Sequence, residues 1–157
     1  MKQFTFILAV VASAILCAAV GGDFKVKHTD AEWQKILPKN AYLVLRKAGT
    51  EKPYSGKYWN FHDKGTYACA GCGQVVFSSD AKFDSGTGWP SFYKEIAKGR
   101  TLNRPDDSEG SHRTEVVCSN CGGHLGHVFD DGPKPTGLRY CMNSPALKFI
   151  PAKAGKK

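Results

Sequence analysis

Three textures of hydrophobic and polar residues follow one another along the chain. From Phe4 to Leu16 the residues are apolar, broken only by Thr5 and Ser13. Lys2 precedes this run, and small residues from Cys17 to Gly22 follow it. That order predicts a secretory signal peptide over residues 1–22, cleaved near Ala19, with Ala18 or Gly21 as alternatives. The run is slightly short for a membrane span, so an uncleaved anchor is the weaker reading. Leu16 before Cys17 is larger than lipoprotein sites usually carry. Export to a periplasm or out of the cell is the expected localisation, with no stable membrane association after cleavage.

The second texture is helical. Thr29 and Glu32 have capping-box spacing, Trp33, Ile36 and Leu37 fall at helical intervals, and Pro38 stops the run. Asn40 is placed to cap a second helix over 41–47, with Gly49 just past its end. A loop with Pro and Gly spans 50–57. From Thr66 onward short apolar or β-branched runs alternate with Gly, Pro and Asp. Strands are predicted at 66–69, 74–77, 113–118, 125–129, 138–142 and 147–150. Turn-rich stretches at 84–90, 103–110 and 131–137 interrupt them. The expectation is one mainly β domain over 23–157 with a helical N-terminal flank.

Composition changes this picture little. The chain has 157 residues, 41% hydrophobic and 23% charged, which suits a soluble fold and argues against disorder. Its formal charge is +8. Lys and Arg are scattered without interleaved aromatics, so nucleic acid is not the expected partner.

The cysteines carry the chemistry. Cys69-Ala70-Gly71-Cys72-Gly73 and Cys118-Ser119-Asn120-Cys121-Gly122 repeat one pattern. Each turn aims two thiols at one centre, with Gly where the backbone bends. Two such turns make a tetrahedral thiolate site of the kind zinc prefers, closed and therefore structural. Disulfides are the alternative in an exported protein. A bridge inside C-x-x-C closes too short a loop to restrain much, so duplicate turns fit metal better.

With Cys17 in the leader, Cys141 is left over. A lone Cys is more often a small buried hydrophobe than a nucleophile. In a strand, however, Arg139, Cys141 and Asn143 share a face, and a cation beside a thiol favours thiolate. His124 and His127 lie just upstream. Strict alternation would separate them, but the glycines around them permit a bend that unites them. Trp89, on a loop framed by Gly88 and Pro90, suits core packing or a pocket wall equally well.

Taken together, these pieces resemble the methionine-R-sulfoxide reductases of the MsrB family. The matching features, in family order, are the twin C-x-x-C-G turns, 88–92, 124–129, 131–133, and Arg139-Tyr140-Cys141 with Asn143-Ser144. The similarity spans roughly residues 29–150. The resemblance implies two antiparallel sheets with N-terminal helices, and reduction of the R epimer of methionine sulfoxide, free or in proteins. It assigns Cys141 as nucleophile and Cys69, Cys72, Cys118 and Cys121 as zinc ligands. Trp89 and Phe129 would line the substrate methyl group. His124, His127, Asp131, Arg139 and Asn143 would activate the thiol or hold the sulfoxide oxygen. One departure stands out: many members carry a recycling Cys where this chain has Thr87. The expectation is a monomer that cycles through a sulfenic acid, reduced by a thioredoxin-like protein or a small thiol. The rival readings are a zinc-stabilised binding module without catalysis and a secreted disulfide scaffold.

Overall fold

A computed structural model describes residues 23–108 and 110–153. The proposed leader and its cleavage site lie outside the described residues. Among the described residues no helix is long and apolar enough to cross a membrane.

Two helices open the domain, α1 (Asp30–Ile36) and α2 (Lys39–Lys47). The capping box at α1 forms as expected. The Thr29 hydroxyl accepts from the Glu32 N–H, and the Glu32 carboxylate accepts from the Thr29 N–H. The start of α2 differs from expectation. Pro38, not Asn40, is its N-cap, and Asn40 only accepts the neighbouring Ala41 N–H. Proline pre-sets its own φ and stops α1, so one residue ends one helix and begins the next. At the other end Ala48, rather than Gly49, takes the left-handed conformation, and the Gly49 N–H closes on the Leu43 carbonyl. Trp33, Val44 and Leu45 anchor this helical flank in the core.

Among the described residues nine strands follow: β1 (Gly65–Cys69), β2 (Val75–Ser78), β3 (Lys82–Phe83), β4 (Ser91–Phe92), β5 (Thr101–Asp106), β6 (Arg113–Cys118), β7 (His124–Phe129), β8 (Arg139–Met142) and β9 (Leu147–Pro151). They form two antiparallel sheets, as expected. One has the order β2-β1-β9, the other β3-β4-β8-β7-β6-β5. The six runs predicted as strands are strands, with ends shifted by at most a residue. The sequence reading missed β3, β4 and β5. Two of these are two-residue strands too short to show alternation. The third, β5, overlaps the stretch at 103–110 that reads as turn, because it contains Pro105 and is polar. It is an edge strand, where a missing N–H costs no ladder bond.

Aromatic rings fill the core. Phe77 of β2 stacks on Phe92 of β4 with centroids 4.4 Å apart, and Tyr67 of β1 meets Phe92 edge-on at 5.0 Å. These contacts tie the small sheet to the large one. Phe92 pairs with Tyr140, and its neighbour Ser91 pairs with Cys141. The same two-residue strand thus packs the core with one side chain and flanks the remaining cysteine with the other.

Candidate active site and metal site

The two C-x-x-C turns close on each other. Gly73 and Gly122 adopt φ of 76° and 69°, and each N–H bonds back to the first cysteine's carbonyl, at Cys69 and Cys118. Left-handed φ at both positions explains why glycine ends each motif. The four sulfurs lie within 4.8 Å of one another. Cys69 Sγ is 3.7 Å from Cys121 Sγ, and Cys72 Sγ is 3.6 Å from Cys118 Sγ. A disulfide needs about 2.05 Å. A tetrahedron of metal–sulfur bonds of about 2.3 Å has edges of about 3.8 Å, so the spacing fits a metal and not two bridges. Hydrogen bonds among the sulfurs push the thiols of Cys72 and Cys118 down and those of Cys69 and Cys121 up. Hydrogen bonding among them holds Cys69 and Cys121 as thiols in the absence of a cation. A divalent ion would supply the charge that lets all four ionise.

The second site is built on the central pair of the large sheet. In β7, Gly126 pairs with Val116 and His124 with Val117, so Leu125 is one residue too many for its partner strand. This bulge breaks the alternation. His124 and His127, which strict strand geometry would set on opposite faces, have ring centroids 5.3 Å apart. A Cβ on Gly126 would lie 2.1 Å from the Cys141 carbonyl oxygen, so only glycine lets β7 and β8 approach here.

Beyond the bulge, His127 pairs directly with Cys141 across the ladder. Opposite residues project to one face with Cβ atoms about 4.5–5.5 Å apart. That face opens into a cavity of about 130 Å³, where Trp89, His127, Phe129, Cys141 and Asn143 meet. Trp89 is therefore a pocket wall. Its indole N–H donates to the Glu51 carbonyl at 3.0 Å. The Glu51 N–H in turn donates to Asn143 Oδ1 at 3.0 Å, and Asn143 Nδ2 donates to the Leu125 carbonyl. One residue of the loop after α2 thus fixes both the aromatic wall and the amide.

Three expected residues sit differently. Asp131 does not line the cavity. It is 58% exposed and grips Arg139 through two hydrogen bonds of 2.8 Å. Arg139 is held over the Phe129 ring at 4.3 Å and acts on Cys141 from beside the cavity. His124 faces an adjoining polar hollow, which it shares with His127. Its Nδ1 lies 2.8 Å from Glu115 Oε1. Asp131 and Glu115 are therefore supports for Arg139 and His124.

Asp106, at the end of β5, was not singled out from sequence. Its Oδ2 lies 2.7 Å from His127 Nε2 and also accepts from Arg113. Hydrogen bonds from Ser108 and His127 hold its carboxyl far below the usual range, so it is ionised. Burial pushes His127 down, although Asp106 opposes that shift. A neutral His127 then carries its proton on Nε2, facing Asp106, and presents Nδ1 as a base. No local pattern reveals this pair, because the carboxylate and imidazole are joined through three strands.

Cys141 itself departs from the simple expectation of a resting thiolate. Burial pushes its thiol up, and Arg139, Thr87 and Ser91 offset that only in part. Thr87 Oγ1 lies 4.0 Å from the sulfur, and Ser85 links the Thr87 and Ser91 hydroxyls at 2.8 Å each. At rest the pocket holds a neutral thiol opposite a neutral imidazole. Passing the proton from thiol to imidazole separates charge, and Arg139 beside the sulfur and Asp106 beside the ring favour the two ions that result.

Residues 37–151 match the SelR domain. The peptide methionine sulfoxide reductase MsrB of Leptospira interrogans is 54% identical over 127 residues, 81% of this chain and 97% of that protein. The MsrB of Methanosarcina barkeri is 54% identical over 132 residues, 84% of this chain and 93% of its own. That of Bradyrhizobium diazoefficiens is 55% identical over 129 residues, with 82% and 93% covered. With the domain matched over most of the chain and such relatives aligned nearly end to end, this protein belongs to the MsrB (SelR domain) family.

Proposed function

We propose that the protein is a peptide-methionine (R)-S-oxide reductase, with Cys141 as nucleophile and one structural zinc held by Cys69, Cys72, Cys118 and Cys121. The observation that carries this reading is the cavity where Cys141, His127, Asn143, Trp89 and Phe129 converge. Its volume of about 130 Å³ suits a thioether side chain rather than a large ligand. Trp89 and Phe129 offer carbon surface to the methyl group, which would select the epimer. Asn143 and His127 offer the polar side for the oxygen.

The chemistry follows from the proton positions. His127 Nδ1 takes the Cys141 proton as sulfur attacks, and the imidazolium delivers it to the sulfoxide oxygen. Asp106 stabilises that transient cation. The sulfur–oxygen bond of the substrate breaks, and a sulfur–oxygen bond to Cys141 forms. The methionine sulfur gains two electrons and Cys141 loses two. The products are methionine and Cys141 sulfenic acid. One external thiol then displaces water to form a mixed disulfide. A second thiol releases Cys141 and leaves the donor as its disulfide.

The donor is a thioredoxin-like protein or a small thiol. Thr87 stands beside Cys141, where a recycling Cys would be within reach, and a hydroxyl cannot form a disulfide. The four other described cysteines are gathered in the metal cluster. The reading extends to an exported monomer that repairs oxidised proteins, with a signal peptide over residues 1–22. The rival binding module leaves Asp106, His127 and Cys141 without a purpose. The disulfide scaffold conflicts with the sulfur spacings.

Purified protein with dithiothreitol should reduce the R sulfoxide of a blocked methionine and leave the S epimer untouched. Cys141→Ser should abolish turnover. Asp106→Asn should lower kcat while KM changes little, approaching the loss of about 10²-fold expected for His127→Ala. Use of the S epimer, or turnover by Cys141→Ser, would contradict the assignment.

Arg139 favours the thiolate of Cys141, so removing it raises the thiol's pKa further. Arg139→Gln should therefore slow alkylation of Cys141 near neutral pH by about tenfold. The alkylation rate should climb with pH beyond the point at which an ordinary thiol levels off.

Elemental analysis should find one zinc per chain. Stripping it should abolish cooperative unfolding or lower the thermal midpoint by more than about 10 °C. A metal-free chain of unchanged midpoint would remove the metal from the account.

A further inference from the structure

The reacting cavity is one end of a longer surface depression. Thr50, an exposed residue on its rim, also borders a second hollow of about 430 Å³ beside α2. That hollow passes Leu43, Gly49 and Pro145, and most of its exposed surface is carbon. It shares Asn40, Glu51 and Pro145 with a third hollow of about 730 Å³, bordered by Lys52, Lys57 and Lys148. The three form a track that runs from the thiol, over an apolar shelf, to a basic end.

Two features give the track a chemistry. Leu43 is 45% exposed, on a helix that buries Ala41, Tyr42, Val44 and Leu45. A lone exposed leucine means little, but this one lines a concave path joined to the reacting cavity. At the far end, Lys52, Lys57 and Lys148 form no ion pair with a carboxylate among the described residues. The opposing charge there is Glu51, half-buried, with Oε1 accepting the Ser144 N–H at 2.6 Å. Three exposed cations against one sequestered carboxylate leave the end of the track positive. A methionine sulfoxide side chain fills the small cavity and needs none of this surface. A polypeptide carrying one must lie somewhere beyond Thr50.

Building on the reductase reading, we infer that the track seats the polypeptide flanking the oxidised methionine. An apolar neighbour rests against Leu43 and Pro145, and acidic residues beyond it meet Lys52, Lys57 and Lys148. The favoured substrate class is a methionine sulfoxide followed, on one side of the chain, by an apolar and then an acidic segment.

Steady-state assays with dithiothreitol test this using three probes. They are blocked methionine R-sulfoxide, a peptide with leucine then glutamates on one side of the sulfoxide, and its lysine counterpart. Each peptide is made with the flank before and after the sulfoxide. In one of the two orientations the acidic peptide should show a KM about fivefold below the basic one, and the gap should shrink in high salt. The double variant Lys52→Glu/Lys148→Glu should reverse that preference and leave kcat for the blocked sulfoxide unchanged. Leu43→Gln should raise KM for the acidic peptide about fivefold without affecting the blocked sulfoxide. Equal KM values for acidic and basic peptides in both orientations would overturn the inference. So would a double variant that weakens only a thioredoxin-like donor, which would give the track to the reductant. No reduction of the blocked sulfoxide would instead defeat the reductase reading.

Discussion

The pairing of β7 with β8, with one extra residue in β7, is the constraint on which the site depends. Leu125 breaks the alternation that would otherwise separate the two imidazoles. Gly126 then lets the strands approach closely enough for His127 to stand opposite Cys141. A side chain at Gly126 would drive β7 away from the Cys141 backbone, and the cavity would lose a wall. Ladder register, rather than any loop, sets the distance between His127 and Cys141. Sites held by strands keep their geometry without an ordering cost at each turnover.

Around this pair the protein arranges charge so that the resting state stays neutral where chemistry occurs and charged where it supports. Asp106 and Glu115 are ionised acids behind the imidazoles, and Asp131 is an ionised acid behind Arg139. None of the three lines the cavity with the thiol. Burial keeps Cys141 and His127 uncharged at rest, and the outer carboxylates favour the imidazolium that forms as the proton moves. A buried, permanently ionised thiol would be easier to oxidise wastefully. A thiol that burial holds neutral is less open to that loss.

Sequence legibility followed the range of the interactions. The metal knuckles were readable because each is complete within five residues, and glycine marks its left-handed turn. Cys141 and Arg139 were readable because strand alternation places them together. Even the bend uniting His124 and His127 was foreshadowed by the surrounding glycines. Asp106 was not, because its partner lies 21 positions away across β6, and Pro105 disguises an edge strand as a turn. Glu51 was hidden for a similar reason. Much of its work is done by its backbone, which holds Trp89 and Asn143 and leaves no side-chain signature. The cap of α2 was misplaced because proline serves there without a side-chain hydrogen bond.

The central claim is that the sulfur of Cys141 receives the sulfoxide oxygen and has no thiol within reach among the described residues to remove it. Mass spectrometry of the zinc-loaded protein, after one equivalent of R sulfoxide and no reductant, tests this directly. The account predicts one added oxygen on the peptide carrying Cys141, trapped by a sulfenic-acid reagent, with the four cluster cysteines unchanged. An unmodified Cys141 after substrate turnover, or a disulfide from Cys141 to another cysteine of the same chain, would contradict it.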